Sequence, residues 1–131
     1  MKTTINSIGV AVFEMLKKVG FSATQAMFIT AQAAHETANF TSAVFKNANN
    51  CFGFKYIGHA LEIGSYNGYG KYDSVKDCVT RYRDYYKKRN WPDPFNSVDQ
   101  FVSSLKANKY FEDTYDNYLR GVNHYMKVYF S

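Results

Sequence analysis

Residues 26–54, AMFITAQAAHETANFTSAVFKNANNCFGF, carry the pattern that decides the fold. Ile29, Ala33 and Glu36 recur at i, i+4 and i+7, one stripe of an α-helix. Ala26, Ala33 and Ala34 give that helix a narrow waist, so neighbouring helices can approach closely. A glutamate on the core-facing stripe near a helix end is costly unless it is paired, hydrogen-bonded or protonated. The same spacing also fits the last polar residue of a surface helix, and periodicity alone does not separate the two. The following residues favour the first reading. Thr37, Asn39, Thr41 and Ser42 are short polar side chains where a surface helix would close on glycine. Asn47, Asn49, Asn50 and Gly53 then form a tight polar turn anchored by Phe45 and Phe52.

Toward the amino terminus, Ile5, Ile8, Val12, Leu16 and Val19 predict a helix over 3–18, ended by Lys17, Lys18 and Gly20. Ser22 and Gln25 are spaced as a capping box, with Phe21 and Ala26 as its staple; the helix they start runs to about Asn39. A helical turn follows near 42–45. Toward the carboxyl terminus, glycines at 58, 64, 68 and 70 exclude a long helix over 54–72, and Asn67-Gly68 is a type I′ hairpin signal. Helical periodicity returns at 75, where Ser74 and Asp77 cap a stripe of Val75, Cys78, Val79, Tyr82 and Tyr86. Its flanks carry Arg81, Arg83, Lys87, Lys88 and Arg89, which a solvated helix face explains more economically than a nucleic-acid surface does. Trp91-Pro92-Asp93-Pro94 breaks the chain. Ser97 and Gln100 then cap a short helix that buries Phe101, Val102 and Leu105. Residues 109–114 connect to a last helix over 115–129 with Tyr118, Val122, Tyr125, Met126 and Tyr129 inward. The fold class is therefore α+β, mainly α: one domain over 1–131, with helices facing a small β-hairpin lobe at about 54–72.

Composition narrows the function classes. A chain of 131 residues, 46% hydrophobic and 21% charged, can bury a core and is not a disordered segment. Twelve tyrosines and eleven phenylalanines exceed what such a core needs. Tyr66, Tyr69 and Tyr72 in the hairpin are thus candidates for stacking on sugar rings, or for holding the small lobe together. A net charge of +5 suits a polyanionic partner, but the lysines are dispersed and choose none. Cys51 and Cys78 form no C-x-x-C pair and His35, His59 and His124 are scattered, so no metal or other cofactor is expected. The two cysteines fit either a disulfide or buried thiols. No segment is long and apolar enough for membrane insertion, no signal peptide is evident, and a monomer is expected. An extracytoplasmic substrate would then be reached by another route, such as a phage lysin released by a holin or carried in a virion.

A carboxylic acid at the edge of an apolar helix face suits general acid catalysis, because partial burial keeps it protonated until it gives its proton to a departing oxygen. Glycosidic bonds need such an acid and usually a second carboxylate. Glu62, on the opposite lobe, is the first choice for facing Glu36 across a sugar, although a solvent-exposed Glu62 fits the sequence equally well. A helix start already explains Asp73 and Asp77.

The runs AQAAHET, NNCFGFK, YGKYDSVKDCVTRYRDYY and NKYFEDTYDNY together resemble the glucosaminidase family of peptidoglycan hydrolases, glycoside hydrolase family 73. The resemblance spans about residues 24–129. It implies a lysozyme-like fold and cleavage of the N-acetylglucosaminyl-β-1,4-N-acetylmuramyl bond, with the bacterial glycan strand as the expected partner; no nucleic-acid partner is expected, since that would need the basic residues around 81–89 and 106–109 to converge on one patch. It assigns the catalytic acid to Glu36 and a cleft floor to Asn50, Phe52 and Gly53. It implies an assisting hairpin carboxylate, for which Glu62 is the match, and a late tyrosine, matched by Tyr110 or else Tyr115. Ala38 stands where the family usually has glycine, and Cys51 where it has leucine. A lytic transglycosylase, a muramidase and a non-catalytic wall-binding module remain alternatives.

Overall fold

The computed structural model describes residues 4–131. Six helices and one hairpin follow in chain order: α1 (Ser7–Lys18), α2 (Ala23–Glu36), α3 (Ala43–Ala48), β1 (Glu62–Tyr66), β2 (Tyr69–Tyr72), α4 (Val75–Lys88), α5 (Val98–Ala107) and α6 (Tyr115–Phe130). Each helix starts on a short polar side chain that accepts a backbone N–H of its own first turn: Asn6, Ser22, Ser42, Ser74, Ser97 and Thr114. Such a cap contributes about 1 kcal/mol to helix stability. This is an α+β, lysozyme-like fold.

Two boundaries differ from the sequence expectation. The first helix begins after Asn6, whose side chain accepts the Ile8 N–H at 2.9 Å. Ile5 therefore stands outside the helix and 56% exposed, and the expected start at residue 3 lies outside the described residues. At Ser22 the capping box is completed by another residue. Asp93 accepts the Ser22 N–H at 3.2 Å, while Gln25 Oε1 accepts the Phe95 N–H at 2.9 Å. Gln25 is thus spent on tying α2 to the segment after the Trp91–Pro94 break.

α2 is the axis of the molecule. Every residue from Phe28 to Ala34 is buried, and both α1 and α6 pack on the helix. A helix enclosed on all sides needs apolar or small residues around its whole circumference, and the alanines supply them. Two of its buried polar side chains find partners: Thr30 Oγ1 donates to Ala26 O, and Tyr82 Oη donates to Gln32 Oε1 at 2.6 Å, while the Gln25 and Gln32 Nε2 groups have none.

In the hairpin, Tyr66 pairs with Tyr69 and Glu62 with Tyr72, with an irregularity between Glu62 and Gly64. Asn67 and Gly68 both adopt positive φ, +49° and +83°, as a type I′ turn requires. The 54–56 segment joins the hairpin edge through Gly70 N–H to Phe54 O, Tyr56 N–H to Gly68 O and a bridge between Lys55 and Tyr69. Tyr72 is fully buried, so of the two roles open to the hairpin tyrosines it takes that of holding the small lobe together. The basic flank of α4 is also not wholly solvated, since Arg81 is only 6% exposed. Cys51 and Cys78 are free buried thiols with their sulfurs 4.0 Å apart.

Candidate active site

α2 ends at Glu36, and the chain must turn sharply there. Thr37 Oγ1 donates back to Ala33 O at 2.8 Å and accepts the Phe40 N–H at 2.8 Å. Ala38, Asn39 and Phe40 are then all left-handed, with φ of +49°, +60° and +65°. Three such residues in a row are costly for L side chains, so the turn is held from outside. The Asn39 side chain donates to Thr4 O and accepts from Tyr129 Oη of α6, while the Asn6 side chain donates to Asn39 O. Position 38 has the backbone that glycine adopts freely, which accounts physically for the glycine found there in the family that the sequence resembles.

The NNCFGF turn meets the end of α2. Asn50, 1% exposed, is its staple. Its Oδ1 accepts the N–H groups of Phe52 and Phe54, and its Nδ2 donates to Phe54 O and Gly70 O. Gly53, at φ +69°, lies directly against the Glu36 carboxyl: a Cβ there would stand 2.6 Å from Glu36 Oε2. Phe52 is fully buried and packs on Tyr82 with ring centroids 4.2 Å apart. The turn therefore brings bare backbone to the acid and anchors itself through the phenylalanine.

A cleft of about 560 Å³ opens over this junction. Glu36, His35, Asn50 and Gly53 form its base, Lys55 and Tyr69 one wall, and residues 109–113 with Tyr118 the other. Burial raises the Glu36 carboxyl from 4.5 to about 7, and the Tyr118 hydroxyl beside it works in the opposite sense. That contact is looser than a formed hydrogen bond, since Tyr118 Oη has no partner in hydrogen-bonding geometry. His35 is held by an edge-on contact with Tyr118, at 4.6 Å between centroids, and lies against Gly121, where any Cβ would collide with its ring. Burial lowers the His35 pKa, opposed by the charge of Asp113, so the imidazole is neutral at neutral pH. A protonated carboxylic acid beside a neutral imidazole is an arrangement able to donate a proton to a bound polar ligand.

The remaining sequence candidates are divided by the fold. Tyr110 lines the cleft and donates its hydroxyl to Phe52 O at 2.7 Å, with burial holding its pKa well above the ordinary value. Tyr69 lines the opposite wall, with Lys55 Nζ 4.2 Å above its ring. Tyr66 is half-buried and accepts from the Asn47 side chain at 3.4 Å, and Tyr115 points its hydroxyl toward Asp99 O at 3.4 Å; neither lines the cleft. Glu62 does not face Glu36. Its Oε1 accepts the N–H groups of Ile57 and His59, at 3.2 and 2.5 Å, and its Oε2 is buried against Gly70. That carboxylate organises the loop before β1.

Sequence reasoning assigned Tyr118 to the core and 109–114 to a connector, and so missed Tyr118, His35, Glu112 and Asp113 as cleft residues. The Tyr118 assignment was correct about burial, for it is 2% exposed and stacks on Phe111 at 3.8 Å. Only the packing of α6 on α2 puts its hydroxyl beside Glu36.

The profile of a glycosidase family, the glucosaminidases (mannosyl-glycoprotein endo-beta-N-acetylglucosaminidase), matches residues 12–130. The chain belongs to the glucosaminidase family. The match takes in all of α2 through β2 and the whole lining of the cleft. Membership supports a glucosaminidase-type peptidoglycan hydrolase activity in general. No curated protein and no solved structure matches the chain. Among the described residues no helix is long and apolar enough to cross a membrane.

Proposed function

We propose that this glucosaminidase cleaves the β-1,4 bond between N-acetylglucosamine and N-acetylmuramic acid as an endo-acting enzyme, with Glu36 as general acid. The observation that carries this reading is the Glu36 carboxyl itself, buried at the base of the cleft, with its pKa at about 7. Glu36 gives its proton to the bridging oxygen as the bond to the anomeric carbon breaks. The positive charge that develops on the sugar is met by the substrate's own acetamido oxygen, and water completes hydrolysis as it attacks the anomeric carbon, giving its proton to the Glu36 carboxylate and so restoring the acid. The other carboxylates on the cleft, Glu112 and Asp113, are exposed, and Asp113 Oδ1 already accepts the Thr114 N–H at 2.7 Å. Tyr110 acts through the turn: its hydrogen bond to Phe52 O holds the backbone that carries Gly53 against Glu36. Tyr69 offers a ring face to the sugar.

A lytic transglycosylase is the second reading, favoured by the presence of only one deeply buried carboxyl in the cleft. Mass spectrometry of digested peptidoglycan, with and without borohydride reduction, separates the two. Reducible N-acetylglucosamine ends support the proposal. Anhydro-muramyl ends would replace it with the transglycosylase, and reducible muramic acid ends with a muramidase. Action at the bacterial wall, outside the cytoplasm, is part of the same proposal, with holin release or carriage in a virion as the route we favour.

A further inference from the structure

A second cavity, of about 220 Å³, lies between α4 and the 57–59 loop. Arg81, Lys88 and Arg89 line it against a single carboxylate, Asp84. Asp84 is half exposed and is already faced by His59 Nε2 at 3.7 Å. The cavity is therefore cationic.

Arg81 carries the argument. It is 6% exposed, its guanidinium lies 3.9 Å over the Phe54 ring, and its Nε has no hydrogen-bond partner. Among the described residues no carboxylate comes within 4.0 Å of it. Glu62 and Arg81 both shift the Tyr72 pKa, in opposite senses, but Glu62 Oε1 is committed to the Ile57 and His59 N–H groups, and its unpartnered Oε2 is not within 4.0 Å of the guanidinium. A buried guanidinium without a counter-charge is strongly unfavourable, because desolvation is not offset. Arg89 is built similarly. Its guanidinium lies 3.3 Å over Tyr85, donates Nη1 to Tyr85 O, and leaves a buried Nε without a partner. Aromatic faces fix the planes of both guanidinium groups, and a planar donor fork held this way matches the oxygens of a carboxylate or phosphate.

We propose that this cavity is an anion-binding site that takes a carboxylate or phosphate borne by the wall polymer. It is separated from the cleft by one layer of rings: Tyr85 lines the cavity, Tyr110 lines the cleft, and the two meet edge to face at 5.5 Å. The choice of a wall-borne ligand rests on the proposed function, whereas anion binding itself does not.

The test is a ¹H–¹⁵N NMR titration of the full chain at constant ionic strength, with sodium phosphate and with sodium acetate. The proposal expects saturable shifts at Arg81, Tyr85, Arg89 and the 57–59 loop, weakened about tenfold or more in Arg89→Gln and in Arg81→Gln. Lys127→Gln, an exposed change on α6, leaves the affinity unaltered. Arg89→Gln decides the matter if Arg81→Gln fails to fold. Shifts that do not saturate, or equal affinity in Arg89→Gln, would overturn the site. Competition then identifies the source: stem-peptide muropeptides supply carboxylates and glycerol-phosphate oligomers supply phosphate. If neither competes with bound phosphate, the wall ligand is overturned. The hydrolysis products are read separately, so failure here leaves the proposed reaction standing.

Discussion

Glu36 and Glu62 are both glutamates at the end of a secondary-structure element, and both set an oxygen against a glycine. Their surroundings separate them. Glu62 Oε1 accepts two backbone N–H groups while its Oε2 is buried without a partner, and the residue serves as a loop clasp. Glu36 has a glycine Cα, a neutral imidazole and a tyrosine hydroxyl without hydrogen-bonding geometry around it, and burial dominates. A carboxylate is comfortable when donors surround it and becomes a proton donor when they are withheld. That contrast, more than the presence of two acids on two lobes, is what the cleft is built on.

The sharpest way to break the comparison is to neutralise each acid in turn. Glu36→Gln is expected to lower hydrolysis about a thousandfold, measured as new reducing ends per minute. The same variant has a stability signature. Because the folded carboxyl titrates at about 7 against 4.5 unfolded, the folded state binds this proton more tightly. Its stabilising effect is complete below pH 4.5 and is lost as pH rises through 7. Relative to wild type, Glu36→Gln should therefore gain up to roughly 3 kcal/mol between those limits, by denaturant titration at each pH. Wild-type-like activity in Glu36→Gln would break the comparison outright.

Gly53→Ala comes next. The added methyl meets Glu36 Oε2 at 2.6 Å, and the backbone there is left-handed at +69°. Activity should fall roughly tenfold to a hundredfold, and stability by about 1–2 kcal/mol. Steady-state kinetics with a thermal melt checks both.

Tyr118→Phe sharpens the electrostatic half. The hydroxyl lowers the Glu36 pKa, so its removal should move the alkaline limb of the pH–rate profile to higher pH. Stability should change by less than about 1 kcal/mol, because Tyr118 Oη has no formed hydrogen bond to lose. An alkaline limb that moves to lower pH would contradict the assigned role of the hydroxyl.

Glu62→Gln should do least. The amide oxygen still accepts the Ile57 and His59 N–H groups, so activity is expected to stay within about threefold of wild type. A loss as deep as that of Glu36→Gln would erase the distinction between the two acids.

Much of this was legible in the chain itself. The caps at Ser22, Ser74 and Ser97, the Asn67-Gly68 turn and the alanine waist of α2 are local signals, and each formed as its chemistry requires. Glu36 was legible because its cost could be read from its place on an apolar stripe. Glu62 was misplaced because a hairpin's sequence does not say which side of the lobe a side chain takes, and nearby N–H groups captured it. Arg81 was read with its solvated neighbours because a guanidinium lying on Phe54 requires the 50–55 turn to reach α4. Tyr118 was a core residue by every local measure, and only the packing of α6 on α2 set it beside the acid. These failures are all tertiary.

The account rests most directly on the protonation state of Glu36. A ¹³C NMR titration of its side-chain carboxyl in the free protein, assigned by comparison with Glu36→Gln, measures that state without reference to substrate or products. The account predicts a midpoint near 7, well separated from the other glutamates. A midpoint at the ordinary value of 4.5 would mean that Glu36 is ionised at neutral pH, and would contradict its role as the acid.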